Sequence, residues 1–122
     1  MKIILNIFNS TNKLKSHLNH ILYEDDITIM QFLILHELSS NKTVNLTQLC
    51  DSLLCSPPEI TNITSRMQKK QLITKTKNID NRRCVDVKAT KYGNSIYKKY
   101  KDRIEFFNTQ IQINKLLNEN EL

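Results

Sequence analysis

The chain has 122 residues, 39% of them hydrophobic, and carries 18 Lys or Arg against 12 Asp or Glu, a formal net charge of +6. That length suits a single domain with a modest core, and no run approaches the ~20 apolar residues that would span a bilayer. Three cysteines with no paired spacing point to a reducing, cytoplasmic setting rather than a disulfide framework.

The charge is unevenly spread. From Met1 to Ser65 there are six acids and four bases, whereas Arg66 to Arg103 holds thirteen Lys or Arg and three acids, Asp80, Asp86 and Asp102. A basic block confined to one third of a chain is the footprint of a polyanion site, or else an ordinary solvated surface. What lies under the block decides between the two.

The N-terminal run Ile3-Ile4-Leu5-Asn6-Ile7-Phe8 is too short and too soon interrupted for a signal peptide. It opens a helix whose Ile4, Ile7, Thr11, Leu14, Leu18 and Ile21 recur at alternating steps of three and four, forming one apolar stripe. Asp25 or Asp26 is expected to cap a second helix from Ile27 to Leu38, apolar nearly all round and so central to the core. Ser39-Ser40-Asn41-Lys42 reads as a loop, and Thr43-Val44 as a short strand. Asn45 caps a third helix.

Ser56 and Glu59 form a capping-box signal with Pro57 at the first helical position, so a fourth helix starts there and runs to about Lys70. Ile60, Ile63 and Met67 lie on its inner arc. Pro58, Thr61, Asn62, Ser65 and Lys69 lie outside, with Arg66 and Gln68 at the edges. Two strand-like runs, Leu72 to Thr76 and Cys84 to Ala89, flank a polar tip with the turn residues Asn78, Asp80 and Asn81. A last helix begins at Thr90 or Lys91. Ile96, Tyr100, Ile104, Phe107, Ile111 and Leu117 run along one side, widened by Tyr97, Phe106, Ile113 and Leu116.

The order helix, turn, helix, basic hairpin predicts a mainly α winged helix-turn-helix with a small β-hairpin. Residues 44–89 form the reading unit, and helices 1–22 and 91–122 form a dimer interface within one domain. On the outer arc of the fourth helix Asn62 suits adenine and Arg66 suits guanine or a phosphate. The hydroxyls of Ser56, Thr61 and Ser65 suit backbone positioning, and Lys69 is a further candidate DNA contact on the same arc. Arg82 and Arg83 at the hairpin end suit a narrow minor groove. Lys75, Lys77 and Lys88 are placed for phosphate contact, and Asp80 braces the tip or orients the arginine.

Cys50 and Cys55 read as small core residues. Cys84 is out of phase with Val85 and Val87 and follows two arginines, the setting of an oxidisable thiol. His17 and His20 are three apart on the first helix but lack a nearby third ligand, so they read as surface histidines rather than a metal site. His36 reads as a core histidine. There is no nucleophile-base pair, glycine loop or supported carboxylate pair, so the sequence points away from an enzyme and calls for no cofactor.

The segments Leu46-Thr47-Gln48-Leu49-Cys50, Leu53-Leu54-Cys55-Ser56, Ile60-Thr61 and Arg66 to Ile73 resemble the helix-turn-helix of the MarR family. Asp80-Asn81-Arg82 resembles its Asp-x-Arg wing signature. The short length, the Ile27–Leu35 segment and the Asn-Glu-Asn-Glu-Leu ending look like the staphylococcal accessory regulator (SarA) branch. The resemblance implies a homodimeric transcription factor on A·T-rich promoters of virulence or surface-protein genes, with Arg82 as the minor-groove arginine and Asp80 its partner. Leu54 departs from the family's frequent turn glycine, and Pro57-Pro58 from its polar residues. Redox-sensing members usually carry a cysteine in the first helix, which here has none. Two other readings remain: a repressor responding to a small molecule held between the first helix and the DNA-binding lobe, and a module that titrates a paralogous regulator by heterodimerising.

Overall fold

A computed structural model describes the backbone of residues 1–121 and the side chains of residues 1–111. Five helices and three strands follow in the order α1 (Lys2–Ile21), α2 (Ile29–Glu37), β1 (Val44–Asn45), α3 (Leu46–Leu53), α4 (Pro57–Lys69), β2 (Ile73–Lys77), β3 (Val85–Ala89) and α5 (Lys91–Glu121). The strands form an antiparallel sheet in the order β1-β3-β2, with Val44 opposite Val87 and Lys75 opposite Val87 on the other side. This is the winged helix-turn-helix expected from the sequence. Ile113, Leu116, Leu117 and the Asn-Glu-Asn-Glu-Leu ending lie outside the described side chains.

The core is centred on α2, whose Phe32, Ile34 and Leu35 are buried among Leu49, Ile60, Met67, Leu72, Val87, Ile96 and Tyr100. Phe32 stacks on Tyr97 at a centroid separation of 5.3 Å. Thr64 is fully buried on α4, and its hydroxyl is satisfied by donating to Ile60 O at 2.7 Å. His36 is not in the core: it is exposed, with Nδ1 2.6 Å from the Tyr97 hydroxyl.

The start of α2 also differs from expectation. Thr28 is the cap and forms a complete capping box with Gln31, while Asn19 Oδ1 accepts from the Ile29 amide at 2.7 Å. Asp25 ends a short 3-10 turn and Asp26 adopts a left-handed conformation with φ 53°. Their carboxylates are turned to other elements. Asp25 accepts from Tyr100 and, at 2.7 Å, from Lys99, both on α5, and Asp26 pairs with Lys70 at 3.5 Å.

At the other end of the lobe, Asn45 and Gln48 complete a second capping box. Gly93 lets α5 meet β2: a Cβ there would stand 2.1 Å from Leu72 O. Thr90 fixes this junction, since its hydroxyl donates to Gln71 O at 2.6 Å and accepts the Gly93 amide at 2.9 Å.

Candidate nucleic-acid interface

The turn between α3 and α4 is built by Leu54, which takes a left-handed φ 53°, ψ 43° while the Cys55 amide closes on Cys50 O at 3.1 Å. The chain therefore makes the turn that glycine usually makes, with the Leu54 side chain 93% exposed and clear of the core. Ser56 caps α4 by accepting the Glu59 amide at 3.4 Å. The reciprocal arm of the expected box does not form. The Cys55 thiol donates to Leu53 O at 3.5 Å, and its pKa is raised first by burial and then by the charge of the Glu59 carboxylate.

With its start fixed, α4 buries Ile60, Thr64 and Met67 and exposes Pro58, Thr61, Asn62, Arg66, Gln68 and Lys69. Ser65 is half-buried. The outer arc is thus a polar ridge without an acid beyond the first turn.

The wing tip is organised by Asn78. Its Oδ1 accepts the amides of Asp80 and Asn81 at 2.9 and 3.1 Å, and its Nδ2 donates to Asp86 at 3.0 Å. The Cys84 amide donates to Asn81 O, and the Asn78 amide to Cys84 O. The bracing expected of Asp80 is therefore performed by Asn78. Asp80 supplies a backbone amide to the turn, and its exposed carboxylate forms no hydrogen bond or ion pair among the described residues. The physical reason is reach: an amide at the first turn position both accepts from two amides and donates across to β3. Cys84 is half-buried within this closure.

Arg82, Arg83, Lys77 and Lys88 are exposed on the wing. Pairing puts Lys88 opposite Thr74 and Lys77 opposite Val85, so these two lysines project to opposite faces of the sheet. Lys75 differs from the placement expected for a phosphate contact. Its ammonium reaches α4, donating to Ser65 Oγ at 3.1 Å and Thr61 O at 3.4 Å, and burial lowers its pKa.

Among the described residues, ion pairs are confined to Lys70 and Lys99 with Glu24, Asp25 and Asp26. Arg66, Lys69, Lys77, Arg82, Arg83 and Lys88 therefore hold their charges unneutralised along the helix and wing. Sequence reasoning missed Lys70 and Asn78 as structural ties. The Asn-x-Asp turn pattern was a signal for Asn78; the partners of Lys70 lie 44 and 39 residues away and left none.

Recognition helix, stabilised turn and basic wing define the class: a winged helix-turn-helix of the kind that reads duplex DNA. The MarR family model matches residues 27–85, spanning α2 to the start of β3, so this stretch of the chain is similar to the MarR winged helix-turn-helix. An uncharacterized HTH-type transcriptional regulator of Bacillus subtilis, YhbI, is 30% identical over 87 residues, 71% of this chain and 56% of that one. The chain thus spans little more than half the length of that relative. The HTH-type transcriptional regulator FarR of Neisseria gonorrhoeae is 24% identical over 103 residues, 84% of this chain and 70% of that one. A mutant MarR from E. coli complexed with operator DNA shares the fold with a TM-score of 0.75 at 24% identity, over 81% of this chain and 71% of that one.

Proposed function

We propose that the chain is a DNA-binding transcriptional regulator of the MarR type that reads A·T-rich promoter DNA as a homodimer. The observation that carries this is the set of exposed cations on α4 and the wing that form no ion pair among the described residues, Arg66, Lys69, Lys77, Arg82, Arg83 and Lys88, together with the acid-free outer arc of α4. Thr61, Asn62, Ser65 and Arg66 face the major groove in this reading, Ser56 holds the backbone at the helix start, and Arg82 with Arg83 enters the minor groove. Narrow A·T-rich minor grooves concentrate negative potential and favour an inserted guanidinium. The likeness to the staphylococcal accessory regulator branch supports virulence or surface-protein genes as targets.

The test is titration of A·T-rich promoter duplex with wild type and Arg82→Ala at several salt concentrations. Wild type is expected to show a steep fall of affinity with salt, and Arg82→Ala to lose about tenfold or more in affinity. Binding insensitive to both would overturn the proposal.

A second reading, small-molecule control of the same regulator, draws on one feature. A cavity of about 440 Å³ lies between α1, α2 and α5, lined by Phe32, Leu33, His36, Tyr97, Ile104 and Phe107 among others. Its volume and apolar walls suit a small aromatic ligand. A rise in melting temperature with aromatic acids that also weakens DNA binding would support it.

A further inference from the structure

Lys75 lies on the wing strand β2 but spends its donors on the recognition helix. Its ammonium bonds Ser65 Oγ at 3.1 Å and Thr61 O at 3.4 Å, and it is half-buried where Lys69, Lys77 and Lys88 are exposed. A lysine held for phosphate would keep its ammonium in solvent, as those three do.

The consequence falls on Ser65. A hydroxyl has one hydrogen and two lone pairs, and the ammonium occupies a lone pair. Thr64, its neighbour, donates its hydrogen back to Ile60 O, the usual outlet for a hydroxyl in a helix. Ser65 makes no such bond among the described residues. Its hydrogen is repelled by the ammonium and has no acceptor among the described residues, on a helix whose neighbouring Thr61, Asn62 and Lys69 are exposed.

We propose that Lys75 is a positioning residue that locks Ser65 as a hydrogen-bond donor to an acceptor atom of duplex DNA, a phosphate oxygen or the acceptor edge of a base. This rests on the DNA-reading function proposed above. The wing thereby sets the chemistry of the recognition helix as well as contacting DNA through its own tip. A serine that can only donate discriminates against base edges that present donors, such as the cytosine amino group.

The experiment is a double-mutant cycle of Lys75→Met and Ser65→Ala in the full chain. The probe is a duplex enriched by the wild type from a randomised pool, titrated across a salt series and remade with single methylphosphonate links. Each substitution is expected to weaken binding by about fivefold or more, and the double variant to lose less than about twofold beyond the weaker single. Lys75→Met leaves the salt slope unchanged. A phosphate acceptor appears as one methylphosphonate position to which Ser65→Ala is no longer sensitive. A base acceptor appears as relaxed preference at one base pair when the selection is repeated with Ser65→Ala.

Additive losses, or a salt slope lowered by about one in Lys75→Met, would make Lys75 a direct phosphate contact and overturn the proposal. Ser65→Ala with unchanged base preference and unchanged methylphosphonate pattern would reduce the clasp to a structural tie and overturn it equally. That arm decides alone if Lys75→Met does not fold. Failure of the wild type to enrich any duplex sinks the DNA-reading function itself, a distinct result that takes this inference with it.

Discussion

Leu54 and Gly93 show how much one backbone position can decide. Leu54 adopts a left-handed conformation that costs an L-residue about 1–2 kcal/mol, and its exposed side chain returns no burial. Leu54→Gly is expected to stabilise the protein by about 0.5–1 kcal/mol once the greater chain freedom of glycine when unfolded is deducted, read as a shift of the urea midpoint at unchanged slope. Gly93→Ala acts in the opposite sense. Its methyl would meet Leu72 O at 2.1 Å, so α5 or β2 must shift, with a loss of about 3 kcal/mol or more by the same measurement. The sequence marked Leu54 as a departure because the residue type is unusual there. The turn persists because only backbone and solvent surround the side chain, which no pattern of residue types reveals. Lys75 was legible as a basic wing residue but not as a clasp, since its partners Ser65 and Thr61 lie across a helix-strand contact.

Two helix starts were legible from a capping residue ahead of the helix, and a third was not. Asn45 and Ser56 were read correctly as caps, and the Thr28–Gln31 pair carried the same spacing. Asp25 and Asp26 drew attention from Thr28 because carboxylates suit helix starts. Their actual partners are Lys99 and Tyr100 on α5 and Lys70 just past the end of α4, between 44 and 75 residues away. This corner ties three helices together, and its pH dependence follows. Lys99 and then Tyr100, by hydrogen bonding, hold the Asp25 carboxyl below its ordinary value of 3.8. Its stabilising contribution is therefore present above about pH 3.8 and is lost as pH falls through the lower folded value. Burial first, then the bond to Asp25, raises Tyr100 above its ordinary 10.0. That contribution is present below pH 10.0 and lost as pH rises past the folded value. Asp25→Asn is expected to lower the melting temperature at neutral pH and to flatten its fall in acid, measured by thermal denaturation across pH.

The expected dimer draws on the ends of the chain. Ile3, Ile4, Leu5, Ile7 and Phe8 on α1 and Phe106 and Ile111 on α5 are exposed, a large apolar surface for one protomer. The 3-4 stripe of the first helix was legible in the sequence. Its division into a covered end, Leu18 and Ile21 against the core, and an uncovered end, Ile4 and Ile7, was not, because periodicity marks a face without saying what covers it. The proposed homodimer predicts that Ile4→Glu with Ile7→Glu will sediment as a monomer where the wild type sediments as a dimer. The same variant should lose most of its DNA affinity, because two linked half-sites bind far more tightly than one. A wild type that sediments as a monomer at micromolar concentration would count against self-association and favour pairing with another regulator.

The close seating of Gly93 on Leu72 O has a mechanical consequence. It pins one end of a helix of 31 residues, about 46 Å long at 1.5 Å per residue. The contact is a fulcrum, and α5 is its lever arm. A tilt of about 5° about that point would carry the far end through roughly 4 Å on that geometry. Run in reverse, in the proposed homodimer, a shift of a few ångströms between the distal ends of two such arms would become a small rotation of each wing and α4. Under the proposed function, the spacing of the two DNA-reading helices would then be tuned by the sole glycine of the chain.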